Sequence, residues 1–390
     1  MSVEFRQDRW RELAAGVDRS TPLPRLCWAA AHVVMEERYA TIGHSIEAPG
    51  SAQTIAEHVD WNTTMSIRSR IGATGMGIAE AMDTAQRFSI GWEAARALIE
   101  RTGALELPAG FCAGAGTDHL EAVETTSRAI DGVCEQVEVI RAAGGVPIIL
   151  PIPLLSRQGL EADDYVRVYG EIIRNSSEGP LLVHWLGPMF LPELEGYFPG
   201  DAFERVMRLD PAKVRGAKLS MLDADLEKRL RADLLERDQL MLTGDDFHFG
   251  DLIAGEGDPV RHTTIGGRSV PLGDFSHALL GIFDAIAEPA ALALRRLQLG
   301  DRAGYERIMR PCEALGQAIF EAPTRFYKTG LAFLAWLDGR QPNRMLANGE
   351  DRQRDRAHLA RVARLADEAG VFTDASCATE RYRAWAAEDD

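Results

Sequence analysis

Lysine is scarce in this chain of 390 residues, which carries 43 basic side chains. Only four of them are lysine and the rest are arginine. A bias of this strength is typical of genome composition rather than of function, but it makes each lysine worth locating. The four are Lys213, Lys218, Lys228 and Lys328.

Disulfide, export and membrane signals are also missing. The five cysteines are odd in number, widely spread and never paired as CxxC, which is typical of reduced thiols in an intracellular protein. Residues 1–10 are charged and lack the apolar stretch of a signal peptide. No apolar run reaches the roughly 18 residues of a membrane span. We therefore expect a cytoplasmic protein without a membrane partner.

Positive charge is outweighed, since 59 acidic residues give a net charge of −16. Nucleic acids and anionic membranes bind clustered positive charge, so neither is an expected partner. Neither a GxSxG nucleophile elbow nor a GxxxxGK[ST] phosphate loop occurs in the sequence. The apolar fraction of 46% is nevertheless that of a folded globular protein.

Eight short apolar runs are separated by stretches with helical spacing. Several runs are continuous rather than alternating, which is typical of parallel strands buried on both faces. The intervening segments 91–101, 119–143, 163–174 and 223–235 carry apolar residues three or four positions apart. The runs cover residues 26–35, 76–82, 105–113, 146–152, 180–186, 214–219, 239–243 and 277–283.

Eightfold alternation of strand and helix is the pattern of a (β/α)8 TIM barrel, an α/β fold. A doubly wound sheet is the alternative, but no GxGxxG follows the first strand. We predict a barrel domain over residues 1–288 and a C-terminal helical extension over residues 289–390. Segments 39–56 and 255–275 have the composition of insertions, and residues 374–390 that of a frayed end.

Lys218 is the strongest candidate for a catalytic group. Active sites of such barrels lie at the C-terminal ends of the strands. Because strand side chains alternate, Val214, Gly216 and Lys218 share one face of the sixth strand. A lysine that is desolvated there is partly a free amine, which can attack a ketone and form a Schiff base. The alternative is a structural lysine that extends outward to solvent.

The residues around Lys218 resemble a known family. Segment 216–223, GAKLSMLD, resembles the Gly-Ile-Lys-Asp-Ser-Ser-Gly-Asp segment around the Schiff-base lysine of dihydrodipicolinate synthase and N-acetylneuraminate lyase. Segment 243–246, TGDD, is similar to that family's Ser-Gly-Asp-Asp after strand seven, and 109–115 and 150–153 agree in order with strands three and four. The resemblance spans roughly residues 24–370. It implies a class I aldolase mechanism without a metal cofactor, in which Lys218 forms a covalent imine.

Strand two departs from that family, which has a Gly-Thr-Thr-Gly-Glu turn for the keto-acid carboxylate. In the preferred alignment Asp83 and Thr84 replace the paired threonines, whereas an alternative register uses residues 72–75. An anionic Asp83 would repel a carboxylate, so we expect it to accept a sugar or polyol hydroxyl. The alternative for Asp83 is a turn cap.

Strand five departs as well, since the family's relay tyrosine is absent. His184 occupies the nearest position, and a pKa near neutrality suits a histidine to general acid–base work. Trp185 is its neighbour, and a shift of one residue in register would exchange the two. We predict His184 as the proton shuttle and Trp185 as a wall of the substrate pocket.

The remaining candidates lie at other strand ends. Asp245 and Asp246 can orient substrate hydroxyls or share one raised pKa, although either could instead cap a helix. Glu80 on strand two and His32 on strand one complete the predicted substrate-binding set, and each is also compatible with a buried structural role.

The sequence thus predicts a Schiff-base-forming lyase, of aldolase or dehydratase type, acting on a small keto sugar or 2-keto acid. Its catalytic residues are Lys218, His184 and Asp83. The family resemblance implies a homodimer or homotetramer. One alternative is a sugar isomerase or epimerase that holds a divalent metal through His32, Glu80, His184, Asp246, His248 and His277. A non-catalytic ligand-binding barrel is the other.

Overall fold

Eight parallel strands close into a single barrel in the computed structural model, which describes residues 4–388. Neighbouring barrel strands follow chain order, and the first and last strands pair to close the ring. The predicted (β/α)8 fold is confirmed. The strands are β1 Cys27–Ala30, β2 Gly77–Glu80, β3 Phe111–Ala115, β4 Val146–Ile149, β5 Leu181–Leu186, β6 Val214–Ser220, β7 Leu240–Thr243, β8 Glu256–Ile265, β9 Arg268–Asp274 and β10 His277–Leu280, of which β8 and β9 form a separate hairpin.

Each barrel strand overlaps one of the eight predicted runs. The runs extend beyond the strands because apolar residues continue into buried loops, as residues 31–35 do after β1. Inward side chains of the strands, including Trp28, Cys112, Leu182 and Leu242, form a packed layer inside the barrel. A site at the C-terminal end of the barrel therefore lies directly on this layer of packed apolar side chains.

Helices cover the outside of the barrel and form most of the last hundred residues. Predicted helix 119–143 begins later than expected, because Thr125 caps it by accepting from the Arg128 amide. The α-helices are α1 Arg9–Ala14, α2 Ala52–Ala56, α3 Trp61–Ala73, α4 Arg87–Gly103, α5 Thr126–Ala142, α6 Pro153–Arg157, α7 Ala162–Asn175, α8 Ala202–Met207, α9 Ala224–Leu235, α10 Phe249–Ala254, α11 Phe283–Gln298, α12 Arg302–Ile319, α13 Lys328–Leu337, α14 Arg356–Ala369 and α15 Ala375–Ala386.

The predicted insertion at 255–275 is the β8–β9 hairpin. Gly266 and Gly267 form its turn with positive φ angles of 53° and 76°, which L side chains disfavour. Ile265 and Leu272 pack in the same cluster as Trp28 of β1. The hairpin therefore covers the N-terminal mouth of the barrel and leaves the C-terminal mouth for chemistry.

The C-terminal helices pack against the barrel through α11, which contacts α12. Helix α11 runs across residue 288, so the proposed domain division falls within one helix. The expected fraying from residue 374 is wrong for the part that the structure describes. Helix α15 is capped by Asp374 and packs Tyr382 and Trp385 among buried aromatic residues. Within residues 4–388, no helix combines the length and apolarity that crossing a bilayer requires.

Candidate functional site

Lys218 lies near the C-terminal end of β6, where its side chain lines a cavity at the C-terminal mouth of the barrel. Ser220, two residues further on, lines the same cavity. The alternation read from the sequence therefore holds for this strand. The outward-extending alternative for Lys218 does not occur.

Burial lowers the pKa of Lys218, because an ammonium group loses hydration there. The carboxylates of Asp246 and Asp83 act in the opposite direction and favour the charged form.

Gly244 allows the side chains of Ser220 and Lys218 to pack against the loop after β7. A Cβ at that position would lie 2.2 Å from Ser220 Oγ and 2.7 Å from Lys218 Cε. The glycine of the 243–246 segment is thus required by the lysine beside it.

His184 is paired in register with Lys218 on neighbouring strands and faces the same cavity. Its Nε2 lies 3.2 Å from Ser220 Oγ, and its buried Nδ1 has no hydrogen-bond partner within residues 4–388. Burial, together with the Lys218 charge, holds the pKa of His184 well below its usual value. The expectation of a near-neutral pKa is therefore wrong, because the site desolvates the ring. His184 is a neutral imidazole.

Asp83 and Thr84 form a short 3-10 turn directly after β2, and both line the cavity. This is the preferred register. The alternative segment, residues 72–75, spans the end of α3 and the start of the link to β2. Asp83 is half-exposed, and its Oδ2 lies 3.0 Å from the Nζ of Lys328. Its charge is therefore partly compensated on one oxygen.

Lys328 was not predicted to take part, since the sequence places it only among the C-terminal helices. It begins α13 and is buried, with Glu350 Oε1 3.2 Å from its Nζ. Its two carboxylate partners raise the pKa of Lys328 against the effect of burial. Lys328 is a permanent cation that ties the C-terminal extension to the turn after β2.

Tyr327 is a second residue that sequence reasoning missed. Its hydroxyl lies 2.8 Å from Thr84 Oγ1, and its ring lines the cavity. Burial and the nearby charges of Asp83 and Asp246 raise the pKa of Tyr327, so the phenol stays protonated. The only hint in the sequence was the absence of a tyrosine from strand five, which gives no position for a substitute.

Two adjacent aspartates after β7 have different positions. Asp246 lines the cavity, and its Oδ1 accepts from the Ile282 amide at 2.9 Å. Burial raises its pKa, whereas the Lys218 charge lowers it. Asp245 accepts from the amides of Phe247 and His248 and contacts the His248 ring, so it stabilises the turn after β7. It does not cap α10, whose N-cap residue is His248.

Four predicted substrate-binding residues do not line the cavity: Asp245, Glu80, His32 and Trp185. Glu80 is buried in a bidentate pair with Arg68, at 2.6 and 2.8 Å. His32 Nδ1 lies 2.5 Å from Asp284 Oδ2. Trp185 packs against the rings of Phe198 and Phe203 outside the barrel.

These positions have simple causes. Trp185 is one residue out of phase with His184 on β5, so strand alternation turns it outward. Glu80 and His32 are buried beside groups that satisfy their hydrogen bonds, and a buried charge without such a partner would be costly.

Arg87 and Asp118 form a polar wall that the sequence did not indicate. Both line the cavity, and the guanidinium binds the carboxylate through Nε at 2.9 Å and Nη2 at 2.8 Å. Arg87 Nη1 also donates to the carbonyls of Ala81 and Gly114. The N–H donors of the Arg87 guanidinium are therefore occupied and its charge is compensated, so it is poorly suited to bind a substrate carboxylate.

The predicted metal ligands do not converge. Within residues 4–388, no group of three or more His, Cys, Asp or Glu side chains could hold a metal ion. His277, for example, accepts from the Leu26 amide at 2.9 Å and bonds to the Pro271 carbonyl at 2.8 Å, so both of its nitrogens are engaged. The residues present do not fit the metal-dependent alternative.

The cavity has a volume of about 210 Å³. Its polar groups, Lys218, His184, Asp246, Thr84 and Tyr327, converge from β5, β6, the ends of β2 and β7, and the C-terminal extension. A deep cavity that holds ionisable groups with shifted pKa values is the usual form of an active site.

Comparison with known proteins gives one family and one fold. A family model described as "Protein of unknown function (DUF993)" matches residues 6–388. No curated protein matches the chain. Many solved structures match it, at low sequence identity.

Three of these structures illustrate the similarity. Dihydrodipicolinate synthase from Bacillus clausii has 14% identity and a TM-score of 0.60, covering 88% of this chain and 97% of its own. Sialic acid aldolase from Ruminococcus gnavus has 13% identity and a TM-score of 0.57, covering 89% and 98%. N-acetylneuraminate lyase from Mycoplasma synoviae has 10% identity and a TM-score of 0.53, covering 88% and 98%. The resemblance predicted from segments 216–223 and 243–246 is confirmed at the level of the fold.

Proposed function

Since the chain belongs to the DUF993 family and has the fold of dihydrodipicolinate synthase and N-acetylneuraminate lyase, we propose that it is a Schiff-base-forming lyase of the class I aldolase type. Its substrate is a small keto compound, and Lys218 is the nucleophile. The observation that carries the proposal is a lysine at the C-terminal end of β6 that lines one cavity with Asp246, His184 and Tyr327, where burial lowers its pKa.

The chemistry begins with the free amine of Lys218. Its nitrogen adds to the substrate carbonyl carbon, and the carbonyl oxygen takes up a proton. A proton of the added nitrogen passes to the same oxygen, which leaves as water and gives an iminium ion. The iminium accepts the electron pair of an adjacent bond and becomes an enamine. From a C–H bond the proton passes to a base of the site, and from a C–C bond the far carbon leaves as an aldehyde once its hydroxyl gives up a proton. Protonation of the enamine and hydrolysis by water return the amine and release the product.

Asp246 supports the proton transfers. Its raised pKa lets it hold a proton nearer to neutral pH than an ordinary aspartate, which suits a group that donates to the leaving water. His184, as a neutral imidazole, can accept a proton but is a weak base. In this scheme Asp246 takes the larger share of the proton transfer that the sequence assigned to His184. Asp83 keeps its predicted role of accepting a substrate hydroxyl.

The hydroxyls of Thr84 and Tyr327 form a second proton path. They lie 2.8 Å apart on one wall of the cavity, so a proton can pass from one to the other without a large movement. Tyr327 of this pair supplies the phenol that strand five lacks.

The homodimer or homotetramer expected from the sequence remains a prediction.

The test is reductive trapping of the imine with a panel of keto acids and keto sugars and sodium borohydride. Trypsin normally cuts after Lys218, and an adduct blocks that cut. The expected product is one joined peptide, residues 216–228. Lys218→Ala should abolish the adduct, whereas Lys228→Ala, which removes an exposed lysine of α9, should retain it. Turnover of a keto substrate without an adduct on Lys218 would overturn the imine mechanism.

A further inference from the structure

The cavity has two unlike walls. The polar wall comes from the loops after β2 and β3, with Asp83, Thr84, Arg87 and Asp118. The adjoining wall comes from the loops after β4 and β5 and carries no ionisable side chain. Its members are Leu150, Pro151, Pro153, Leu186, Phe190 and Leu191.

The apolar wall is incompletely covered by the protein itself. Leu186, Phe190 and Leu191 are each only half-buried. At the rim Phe88 is 65% exposed and lines the same cavity. Contiguous apolar surface left open inside a cleft is typical of a binding site for an apolar group.

Aromatic rings continue this wall toward the reacting centre. Phe320 stacks on Tyr327 with ring centroids 4.3 Å apart. The Phe190 ring approaches both of them edge-on, at 6.5 and 6.4 Å. Since the Tyr327 hydroxyl contacts Thr84, the apolar surface reaches from the rim to the proposed proton path.

We propose that the substrate is a keto compound whose chain carries an apolar substituent, an aryl or branched alkyl group, which binds against the wall formed by the loops after β4 and β5. The inference rests on the proposed function, which places the carbonyl carbon at Lys218. The polar wall takes the opposite end of the substrate. Apolar cavities of about 150 Å³ take up a benzene-sized molecule, and this cavity holds about 210 Å³.

This assignment differs from the sugar or polyol expected from Asp83. Hydroxyl groups laid along the apolar wall would give up bonds to water and gain none, which is unfavourable. Asp83 remains free to accept a hydroxyl through its second oxygen, but only at the polar end. The wall therefore selects against a fully hydroxylated chain.

The experiment compares three methyl ketones without a carboxylate as trapping substrates: 4-phenylbutan-2-one, butan-2-one and 1-deoxyfructose. We expect half-maximal adduct formation on Lys218 at a concentration about tenfold lower for the phenyl compound than for either of the others. Phe190→Ala should erase most of that preference. Leu299→Ala, which removes an exposed apolar side chain remote from the cavity, should leave it unchanged.

Two outcomes separate this inference from the proposed function. If Lys218 forms adducts but the phenyl compound has no advantage, the apolar substituent is wrong and the Schiff base stands. If no compound forms an adduct, the shift in melting temperature that each compound causes in the unreacted protein tests the apolar site separately from the imine. Stronger stabilisation by the phenyl compound than by the other two would keep the apolar site and overturn the imine, and equal or absent stabilisation would overturn both.

Discussion

The hydroxyl of Tyr327 lies 2.8 Å from Thr84 Oγ1, although 243 positions separate the two residues in the chain. One stands in the turn after β2 and the other immediately before α13. The C-terminal extension therefore supplies part of the cavity wall. In the proposed mechanism this hydroxyl pair links proton transfer to the docking of the extension.

Removal of the Tyr327 hydroxyl should slow turnover without preventing imine formation. We expect Tyr327→Phe to lower kcat about 10- to 100-fold, because positioned proton transfer contributes on the order of 10²–10⁴. KM and borohydride trapping on Lys218 should change little, since the ring is retained. Tyr382→Phe removes a hydroxyl from α15 and is the control. Loss of trapping in Tyr327→Phe would mean that imine formation itself needs the hydroxyl, and an unchanged kcat would contradict the proposed proton path.

The lowered pKa of Lys218 predicts the pH dependence of imine formation. Only the free amine reacts, so the trapping rate should rise with pH and level off well below 10.5, the ordinary lysine value. The Asp246 charge favours the ammonium form. Asp246→Asn should therefore shift the midpoint of the profile to lower pH. The measurement is the rate of cyanoborohydride trapping as a function of pH at fixed ketone concentration.

The control for that profile is Asp225→Asn, an exposed change on α9 that should leave the midpoint in place. A midpoint that moved upward in Asp246→Asn would contradict the assigned interaction, because loss of an anion cannot favour a cation.

Gly244 should tolerate no side chain. The Cβ of Gly244→Ala would meet Ser220 Oγ and Lys218 Cε inside van der Waals contact, so the lysine must move. We expect trapping on Lys218 to fall at least tenfold, because displacements of about 1 Å at a reacting group have costs of that order or more. Gly170→Ala is the control, since the nearest atom to its Cβ would be Arg174 Nη1 at 3.3 Å. Full trapping in Gly244→Ala would show that the loop after β7 adapts.

Glu227 should make the stability of the protein depend on pH. It is buried in α9, and burial raises its pKa to about 8 from 4.5. Because the folded state holds the proton more tightly than the unfolded chain, this stabilisation is complete below pH 4.5. It is lost progressively as the pH rises to 8.

Glu227→Gln should therefore flatten the dependence of the melting temperature on pH between 5 and 8. Glu236→Gln, just after the same helix and exposed, should retain the wild-type slope. An unchanged slope in Glu227→Gln would show that Glu227 does not carry the raised pKa. Thermal unfolding at several pH values provides the measurement.

Local sequence patterns were sufficient for much of the barrel. Strand alternation places Lys218 and His184 inside the barrel, because the backbone geometry of a strand repeats every two residues. The same rule turns Trp185 outward, against its prediction as a wall of the pocket. The order of strands and helices follows from the apolar runs in the same way. The glycines at 266 and 267 indicate the hairpin, because the tight turn there needs positive φ angles.

The protonation states at the site depended on tertiary surroundings. An isolated histidine has a pKa near neutrality, but the closed barrel end removes water from the His184 ring. Likewise, the sequence could not show which of Asp245 and Asp246 faces the cavity, because the loop conformation after β7 decides it.

By itself, the sequence determined the fold class, the eight strands and the lysine at the end of the sixth. Those features come from the short-range periodicity of apolar residues, which does not depend on how the strands and helices later pack together. The tertiary structure alone decided that Tyr327 and Lys328 meet Thr84 and Asp83, and that Glu80 pairs with Arg68. Such contacts depend on how distant helices pack against the barrel, and no local pattern specifies that packing.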